Sequence, residues 1–394
     1  MMTGFDSIII GGGVIGTSIA YHLAQHGLRV ALLERGALAS GSSSKCDGDV
    51  QIVDSKIGLP TQFTGASMRL FSDVTRNMDI DIHYEKSGSL FVFETDEEIE
   101  AGKKLVAEKR EFGVDLYQLD AYEVHEKEPK LAPDIVGGIF TRDDAQVDPM
   151  LLTFGLAEAA KKRGAQIFQH TEVTGIRQVP GQLIVSTVRG DYRARNVINA
   201  AGVWAPVIGN MLGIDIPIIP RQGQLLVSEN VERFVSCSVT EYGYMMTKYA
   251  ENKLKRNTTA EMDEFGVAML VEPRHGNNLL IGSCRRFVGY NEKNDYRVIS
   301  AIAQRACRFF PALRSANMIR SYAGLRPYTA DQNPIISRTP VDGFYIAAGH
   351  EGAGITLSLI TGQLMSEIIC GKPLSFPEAP FSLARFEGNR LHNR

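Results

Sequence analysis

The chain has 394 residues, of which 44% are hydrophobic and 22% are charged, and its formal net charge is −3. This composition is typical of a folded globular protein of about two domains, and it excludes a disordered chain. The near-neutral charge gives no reason to expect a nucleic acid or an anionic membrane as partner, and because the longest apolar runs are only as long as strands, no transmembrane helix is expected.

The first predicted elements are a strand, a glycine-rich turn, a helix and a second strand. An apolar strand at 6–10 leads into the sequence GGGVIG at 11–16, a helix ends at Gly27, and a strand at 29–33 ends on Glu34. A G-x-G-x-x-G motif alone is weak evidence, but this order of elements with a terminal acid is typical of a dinucleotide-binding unit. The alternative is a glycine-rich turn in an unrelated α/β protein.

Each residue of this unit has a physical role when a dinucleotide binds. Gly11 permits the tight turn, Gly13 lets the pyrophosphate approach the backbone, and Gly16 lets the helix pack close to the strand. The helix N-terminus offers free N–H groups and the positive end of its dipole to the phosphates. Glu34 is placed to accept hydrogen bonds from both hydroxyls of the adenosine ribose, and it would repel a 2′-phosphate.

Two later segments have a similar pattern. The buried strand predicted within 196–204 ends on small residues, which would let the backbone close over a cofactor. The segment 343–356 repeats the order strand, glycine-rich turn and helix, and its helix is predicted from Ile355 to Cys370. The other predicted elements are strands at 89–93, 166–170, 172–176, 224–228, 268–272 and 278–282, and helices at 97–112 and 298–309. A further amphipathic helix is opened by residues 147–149 and stops at Gly164.

These elements predict an α/β fold, α+β overall, with two discontinuous domains. Residues 1–82, 146–215 and 321–394 would form a Rossmann-like dinucleotide domain, and residues 83–145 and 216–320 an antiparallel, β-rich substrate domain. The polar stretch 252–264 is predicted as a loop over the second domain, either a plain insertion or a lid. The acids at 94–100 and at 143–144 are interpreted as solvated faces.

The five cysteines are odd in number and scattered, without a C-x-x-C pair. This distribution favours a reducing compartment and argues against structural zinc or a redox-active disulfide. Residues 1–5 carry no basic region, and cleavage behind the first strand would destroy the glycine turn, so no signal peptide is expected. The expected location is the cytoplasm.

Nearly the whole chain resembles the FAD-dependent oxidoreductases of the D-amino-acid oxidase, glycine oxidase and sarcosine oxidase type. Six segments in the same order carry the resemblance: GGGVIG with Glu34-Arg35, SSSK at 42–45 with Gly48, VDP at 147–149, NAAGVW at 199–204, GLRP at 324–327 with Asp331 and Pro334, and AAGHEGAGIT at 347–356. The segment LIGSCRRFVGY at 280–290 is similar to catalytic (beta) subunits of heteromeric opine oxidases, proline and hydroxyproline dehydrogenases and hydrogen cyanide synthase. This similarity implies a larger partner subunit.

The resemblance implies a bound FAD, and the single full fingerprint leaves no second site for a nicotinamide. The residues expected to hold FAD are Gly11, Gly13, Val14, Ile15, Gly16, Glu34, Arg35, Ser42, Ser43, Lys45, Gly48, Val173, Ala201, Gly202, Trp204, Gly349, Gly352, Gly354, Ile355 and Thr356. Because the GLRP segment has no cysteine, FAD is expected to be non-covalent. An FMN at an interface with a partner subunit is a further option, and no metal site is expected.

Three residues are assigned to the substrate by the same resemblance. In family members with a matching G-L-R-P segment the arginine clamps the substrate carboxylate, which gives this role to Arg326. Tyr244, or else Tyr242, would donate to the same carboxylate or form the re face, with a core or interface tyrosine as the alternative. His350 either lies beside the flavin or only shapes the turn, and the helix that follows would direct its N-terminus at the flavin ring.

The expected reaction is oxidation of the C–N bond of a small amino acid or secondary amine (glycine, sarcosine, a proline-like amino acid, a D-amino acid or an opine). Hydride transfer to N5 of FAD would give an imine that hydrolyses to a 2-oxo acid. The sequence shows no paired catalytic carboxylates, and Cys46 and Asp47 depart from the small residues expected beside the flavin. The alternatives are a 2-hydroxy acid or polyol dehydrogenase and a non-catalytic FAD-binding subunit.

Overall fold

The computed structural model describes residues 3–76, 78–249 and 256–387. The strands in these residues are β1 (Thr3–Ile10), β2 (Val30–Leu33), β3 (Asp49–Val50), β4 (Ser89–Phe93), β5 (Leu116–Asp120), β6 (Gly137–Thr141), β7 (Ala145–Gln146), β8 (Gln166–Phe168), β9 (Val173–Val179), β10 (Gln182–Thr187), β11 (Gly190–Asn199), β12 (Ile219–Asn230), β13 (Ser238–Glu241), β14 (Leu270–Pro273), β15 (Asn278–Gly282), β16 (Met318–Tyr328), β17 (Ile335–Arg338) and β18 (Phe344–Ala348). The helices are α1 (Val14–Gln25), α2 (Leu59–Thr75), α3 (Asp96–Arg110), α4 (Ala121–Lys127), α5 (Pro149–Lys162), α6 (Ala205–Asn210), α7 (Tyr242–Tyr249), α8 (Ala260–Phe265), α9 (Tyr296–Phe309) and α10 (Ser358–Cys370).

The first sheet has the strand order β17-β18-β11-β1-β2-β8, and β10 and β9 extend it from β11. The pairs among β18, β11, β1, β2 and β8 are parallel, so the carboxyl ends of these strands meet at one edge. Helix α1 crosses between β1 and β2 and packs against α5 and α10. This arrangement brings the glycine turn after β1 next to the segments after β2, β11 and β18.

The second sheet has the order β16-β12-β15-β14-β13-β4-β6-β5. All its neighbouring strands are antiparallel except β13 and β4, which are parallel. The predicted fold class is therefore confirmed, with one parallel pair in a sheet otherwise antiparallel. The division into domains stays a prediction, and β16 crosses its boundary at residue 321.

Some predicted bounds match the structure, and others differ. Strands 89–93 and 278–282 are present as predicted. The last helix begins at Ser358 rather than Ile355, because residues 351–357 form turns, and it ends before Gly371, which adopts φ +63°. Within 252–264, residues 252–255 lie outside the described residues, and the loop prediction is wrong for α8.

Helix α8 forms because both of its ends are capped. The Thr259 side chain accepts a hydrogen bond from the backbone N–H of Met262, and Gly266 ends the helix with φ +60°. Met262 and Phe265 are buried and fix its apolar face.

The interpretation of two acidic groups as solvated faces holds for exposed members such as Asp143 and Glu97 and is wrong for other acids in each group. Asp144 is fully buried and accepts hydrogen bonds from Ser89 Oγ and from the backbone N–H of Ile52. In the other group Glu98 is 3% exposed, and the buried Glu94 carboxylate pairs with arginines of α9. Over the described part of the chain, no helix combines the length and the apolarity needed to cross a membrane.

Candidate functional site

A cavity of about 540 Å³ lies at the carboxyl edge of the first sheet. Its walls come from the glycine turn, the segments after β2, β11 and β18, and strands β12 and β16 of the second sheet. This volume is within the range of about 300–1,000 Å³ that ligand and cofactor sites occupy. The cavity therefore lies at the junction of the two sheets.

The glycine turn leaves no room for side chains. Gly11 adopts φ +115°, and a Cβ added there would lie 2.5 Å from the carbonyl oxygen of Ala200. A Cβ on Gly16 would lie 1.9 Å from the carbonyl oxygen of Gly11, so α1 and β1 can pack only around a glycine. Helix α1 starts at Val14, directly beside the cavity, and its N-cap Gly13 provides no side-chain cap. The backbone of this turn therefore forms a cradle beside the helix N-terminus, as a phosphate group requires.

The segment 42–43, which follows β2, contacts both the glycine turn and β16. The backbone N–H of Val14 donates to Ser43 Oγ at 3.0 Å, so Ser43 lies directly over the start of the helix. Ser42 Oγ donates to the carbonyl oxygen of Leu325 at 2.6 Å and ties the same segment to β16.

Glu34 lines the cavity at the end where β2 finishes. Its Oε2 accepts a hydrogen bond from the backbone N–H of Gly12, and its Oε1 accepts one from Gly36, both at 2.7 Å. Each carboxylate oxygen can accept a further hydrogen bond. The carboxylate is thereby held in place and can still receive hydroxyl groups from the cavity.

Three flat groups from different parts of the chain stack beside this end. The Arg35 guanidinium lies 4.2 Å from the ring of Trp204, and Trp204 stacks on Tyr290 with 4.3 Å between ring centroids. Tyr290 belongs to the segment between β15 and α9 and donates its hydroxyl to the carbonyl oxygen of Val203 at 3.1 Å. In the same segment Glu292 lines the cavity and pairs with Lys45 at 2.6 Å.

Most of the residues predicted to hold a cofactor line this cavity. These are Gly11, Gly13, Val14, Ile15, Glu34, Arg35, Ser42, Ser43, Lys45, Val173, Ala201, Gly202, Trp204, Gly352, Gly354 and Ile355. Gly16, Gly48, Gly349 and Thr356 lie outside the lining. The assignment of all twenty to the cofactor stays a prediction.

Packing explains the positions of the residues outside the lining. A Cβ on Gly48 would lie 2.1 Å from the carbonyl oxygen of Val147, and one on Gly349 would lie 2.7 Å from the methyl group of Thr329. Thr356 lines a second cavity and donates to the carbonyl oxygen of Asp49 at 3.2 Å.

His350 lines the large cavity and is 3% exposed. Its Nε2 lies 3.0 Å from Thr361 Oγ1 of α10. Burial lowers the pKa of His350 to about 3, so the imidazole is neutral at physiological pH. A neutral, hydrogen-bonded ring fixes the turn and brings no charge to the cavity wall.

A second cavity of about 150 Å³ adjoins the first. Both cavities are lined by Asp47, Arg326, Glu351 and Gly352. Arg326 therefore lies at their junction, where a small molecule in the second cavity would meet a ligand in the first.

Backbone and side-chain acceptors hold the Arg326 guanidinium. Its Nη1 donates to the carbonyl oxygen of Cys284 and its Nη2 to Ser283 Oγ, both at 2.8 Å. Gly223 makes room for it, since a Cβ there would lie 2.7 Å from Nη1. Burial opposes the charge, but Tyr244 and other nearby groups raise the pKa of Arg326 above its usual value. These two bonds use two of the five guanidinium N–H groups, and the others can bind a carboxylate.

The structure separates the two tyrosine candidates. Tyr244 lines the small cavity, and the Arg285 guanidinium lies 3.7 Å from its ring centroid. Tyr242 is fully buried in the core, with its ring against Phe93 at 4.9 Å. Tyr244 is therefore the tyrosine that a substrate in the small cavity could contact.

The structure brings together three carboxyl groups that sequence analysis did not assign to the site. Asp47 and Asp49 lie beside Glu272 of β14, whose carboxylate accepts hydrogen bonds from the backbone N–H of Gly48 at 3.1 and 3.2 Å. Arg274 pairs with Glu272 at 2.7 Å. The D-x-D spacing at 47–49 was a visible signal, but Glu272 is more than two hundred residues away and only the fold brings it there.

Comparisons with known proteins agree with this geometry. Residues 6–368 match the family described as DAO, FAD dependent oxidoreductase. Glycine oxidase from Bacillus licheniformis is 30% identical over 378 residues, with 94% of each chain covered. Hydrogen cyanide synthase subunit HcnC from Pseudomonas aeruginosa is 28% identical over 430 residues, which cover 97% of this chain and 96% of that protein.

Solved structures show the same fold over the full length. The glycine oxidase structure from Geobacillus kaustophilus superposes with a TM-score of 0.85 at 28% identity, covering 98% of this chain and 99% of that one. The L-proline dehydrogenase structure from P. horikoshii gives a TM-score of 0.88 at 24% identity with full coverage of both chains. The second likeness shows the fold alone.

Proposed function

Because this chain belongs to the family of FAD-dependent oxidoreductases, we propose that it oxidises the C–N bond of a small amino acid or secondary amine. The candidates are glycine, sarcosine, a proline-like amino acid, a D-amino acid and an opine. The position of Arg326 at the junction of the two cavities carries this proposal. A guanidinium there would hold a substrate carboxylate at the edge of the cofactor cavity.

The residues of the large cavity fit FAD. Glu34 is held where it can receive the ribose hydroxyls. The backbone N–H groups of Gly12 and Val14 already donate to Glu34 and Ser43, so those of Gly13 and Ile15 at the start of α1 would serve the pyrophosphate. The small residues Ala201 and Gly202 also line this cavity, and the turn 350–354 approaches Arg326, since a Cβ on Gly352 would lie 3.8 Å from its Nε. Bound there, FAD supplies a two-electron acceptor that takes hydrogen from carbon as hydride.

The small cavity would position the substrate. Arg326 would bind the carboxylate through N–H groups not used by Cys284 and Ser283, and Tyr244 could donate its hydroxyl to the same group. A bidentate contact fixes orientation as well as position, and this fixes the α-carbon at the junction. The cavity of about 150 Å³ suits a small substrate and leaves little space for bulk water.

A buried ion pair stabilises the turn that separates the two cavities. Arg221 of β12 pairs with Glu351, and both side chains are less than 10% exposed. Glu351 also accepts a hydrogen bond from the backbone N–H of Gly352 at 2.6 Å. The wall between cofactor and substrate is thereby held by the second sheet.

An anaerobic substrate screen tests the proposal. The FAD-loaded protein is mixed with small amino acids, secondary amines, 2-hydroxy acids and polyols, and loss of the flavin absorbance is followed. Reduction by an amino acid or amine is the expected result. Reduction by hydroxy acids or polyols alone would favour the same fold acting on a C–O bond, and no reduction by any compound would favour a non-catalytic FAD-binding subunit.

We further propose that the chain is the catalytic subunit of a heteromeric complex. The support is the likeness over nearly the full length to a protein whose printed name is a subunit of hydrogen cyanide synthase. Co-purification with the products of neighbouring genes is the test. A chain that purifies alone and is fully active without a partner would contradict this proposal.

We also propose the cytoplasm as its location. All five cysteines, Cys46, Cys237, Cys284, Cys307 and Cys370, lie in the described part of the chain and are free thiols. Free thiols at five positions are typical of a reducing compartment. Cell fractionation tests the location.

A further inference from the structure

A cluster of three carboxyl groups lies beside Arg326 and has no role in the reaction as described so far. Asp47 lines both cavities, and Asp49 lines the small cavity. Glu272 is fully buried and binds the backbone N–H of Gly48, which lies between the two aspartates. The cluster therefore borders the place where the substrate cavity opens to the cofactor cavity.

Two arginines face these carboxyls. Arg274 pairs with Glu272 at 2.7 Å and also with Asp148 at 3.4 Å, and Arg326 faces Asp47. Burial raises the pKa of all three carboxyls. Neighbouring carboxylates raise the pKa values of Asp49 and Glu272 further, whereas Arg326 and Arg274 oppose the shift at Asp47. The other titratable neighbours are Cys46, Asp144 and Tyr322. Such a group titrates as a unit and keeps a proton at a pH where isolated carboxyls have lost theirs.

The balance of charge changes when a substrate carboxylate binds Arg326. Arg274 is already shared between Glu272 and Asp148, so Arg326 is the main cation that faces Asp47. The substrate carboxylate neutralises this charge when it binds. Asp49 has one oxygen, Oδ1, that is buried and has no hydrogen-bond partner in the described part of the chain, while Oδ2 accepts a bond from Ser238 at 2.9 Å. A substrate with a cation next to its carboxylate would supply a positive charge facing Asp47 and a hydrogen-bond donor for Asp49 Oδ1. An amino acid in its zwitterionic form has this arrangement.

We propose that Asp47, assisted by Asp49, binds the ammonium group of the substrate opposite Arg326 and takes one proton from it. This inference rests on the proposed function. An N–H bond of the substrate breaks, an O–H bond forms on the Asp47 carboxylate, and the nitrogen keeps the electron pair. That pair forms the C=N bond while the α-hydrogen leaves with its own electron pair to the flavin, so charge and electrons balance.

A base at this position accounts for Asp47, where a small residue was expected beside the flavin. It also limits the substrates to compounds that carry an amino group. An amine that stays protonated has no electron pair with which to form an imine. The protein that removes the proton can use the zwitterion, which is the abundant form of an amino acid in neutral water. A 2-hydroxy acid offers no cation to the cluster, so the site favours an amine on the carbon that carries the carboxylate.

The pH dependence of flavin reduction tests the inference. Wild-type and Asp47→Asn proteins, both loaded with FAD, are mixed anaerobically in a stopped-flow instrument with the amino acid found in the substrate screen, at low substrate concentration. Below the pKa of the free substrate ammonium, the wild-type rate constant is expected to stay level until the cluster itself is protonated. The variant can use only the neutral amine from solution, so its rate constant should fall about tenfold for each pH unit.

Two results would overturn the inference and leave the proposed function intact. One is an Asp47→Asn protein with the wild-type pH profile. The other needs no variant: a wild-type rate constant that already falls tenfold per pH unit below the substrate pKa shows that no group of the protein takes the proton. Reduction by hydroxy acids alone would instead overturn the proposed function and the inference together.

A matched variant and a binding measurement separate this role from a structural one. Asp191→Asn changes an exposed carboxylate that lines neither cavity and should keep the wild-type profile. The carboxylic acid that corresponds to the substrate without its amine should bind the Asp47→Asn protein at least as tightly as wild type, because a negative charge near Arg326 is gone. Weaker binding of this acid, measured by the change in flavin absorbance, would contradict the assigned role.

Discussion

Lys109 and Asp144 bind the two backbone polar groups of the same residue, Ile52. The Nζ of Lys109 donates to the Ile52 carbonyl oxygen at 2.9 Å, and Oδ1 of Asp144 accepts from the Ile52 N–H at 2.7 Å. Lys109 also donates to the carbonyl oxygen of Ser55 at 2.6 Å. Both charged side chains are fully buried. The loop that they hold supplies Asp54 and Ser55 to the wall of the small cavity.

The stability of this loop should depend on pH through Asp144. Burial raises the pKa of Asp144 to about 7, although Ser89, Ile52 and Lys109 oppose the shift. The folded protein therefore holds this proton more tightly than the unfolded chain does, and the stabilisation from Asp144 is lost as the pH rises from about 4 through 7. Asp144→Asn cannot titrate, so its free energy of unfolding relative to wild type should increase by about 1–3 kcal/mol between pH 5 and pH 8.

Urea unfolding at a series of pH values measures this difference. Asp143→Asn is the matched control, because the neighbouring carboxylate is exposed and should show no such trend. A difference between Asp144→Asn and wild type that stays constant with pH would show that Asp144 is ionised throughout.

The burial of Asp144 shows what sequence analysis could not find. The pair Asp143-Asp144 lies between short apolar strands, and the sequence contains nothing that distinguishes its two members. The difference arises because Ser89 of β4 and Ile52 meet Asp144 only in the folded chain. Partners more than fifty residues away leave no periodic signal, so a buried acid and a solvated acid have the same local pattern.

The stack of Trp204 and Tyr290 should slow the release of FAD. Tyr290 reaches across from the second sheet to Trp204, which lines the FAD cavity, and an aromatic pair contributes about 0.5–1.5 kcal/mol beyond its buried area. Tyr290→Ala should therefore raise the dissociation constant of FAD about 2- to 12-fold.

Titration of the apoprotein with FAD, followed by flavin fluorescence, gives this constant. Tyr296→Ala, at a position that is 82% exposed in the next helix, is the control and should bind FAD as wild type does. Equal dissociation constants for Tyr290→Ala and wild type would mean that the segment between β15 and α9 does not restrain the cofactor.

Most of the residues that sequence analysis expected to lie together line the large cavity, although their contacts with the cofactor stay a prediction. The residues of GGGVIG and Glu34 are close together in the chain, and their roles follow from backbone geometry that is the same wherever the motif occurs. Glu292 lines this cavity and Tyr290 stacks on Trp204 in its wall, and neither was assigned there because both come from the segment between β15 and α9. Which discontinuous segments touch depends on how the two sheets pack, and a local sequence pattern carries no information about that packing.

Arg326 should matter for substrate affinity far more than for folding. Arg326→Lys keeps a positive charge but loses the planar pair of N–H groups that would hold a carboxylate. Losing one partner of a buried charged contact costs about 2–5 kcal/mol, so the KM for the amino acid substrate should rise by about 30-fold or more.

Steady-state kinetics of the FAD-loaded variant measures this change, with the flavin absorbance spectrum as the check that the cofactor site is intact. Arg285→Lys is the comparison within the same cavity, since Arg285 stacks on Tyr244 and should have a smaller effect. Unchanged KM in Arg326→Lys would remove the carboxylate clamp from the proposed function.

His350 should contribute to activity through its position and not through a proton. Its pKa is lowered by burial to about 3, so the ring stays neutral from pH 5 to pH 9 and its charge cannot shape a pH profile in that range. His350→Gln retains a hydrogen-bonding side chain that could reach Thr361 Oγ1, 3.0 Å from the imidazole, but it fills the site less well. We expect a lower rate of flavin reduction in this variant and the same dependence of that rate on pH. Stopped-flow reduction between pH 5 and pH 9 measures both quantities, and the loss of a titration in the variant would show that His350 carries a proton during the reaction.

Thr361→Val removes the partner hydroxyl and leaves the imidazole in place. If the hydrogen bond fixes the turn, this variant should show the same loss of rate, again without a shift in pH dependence.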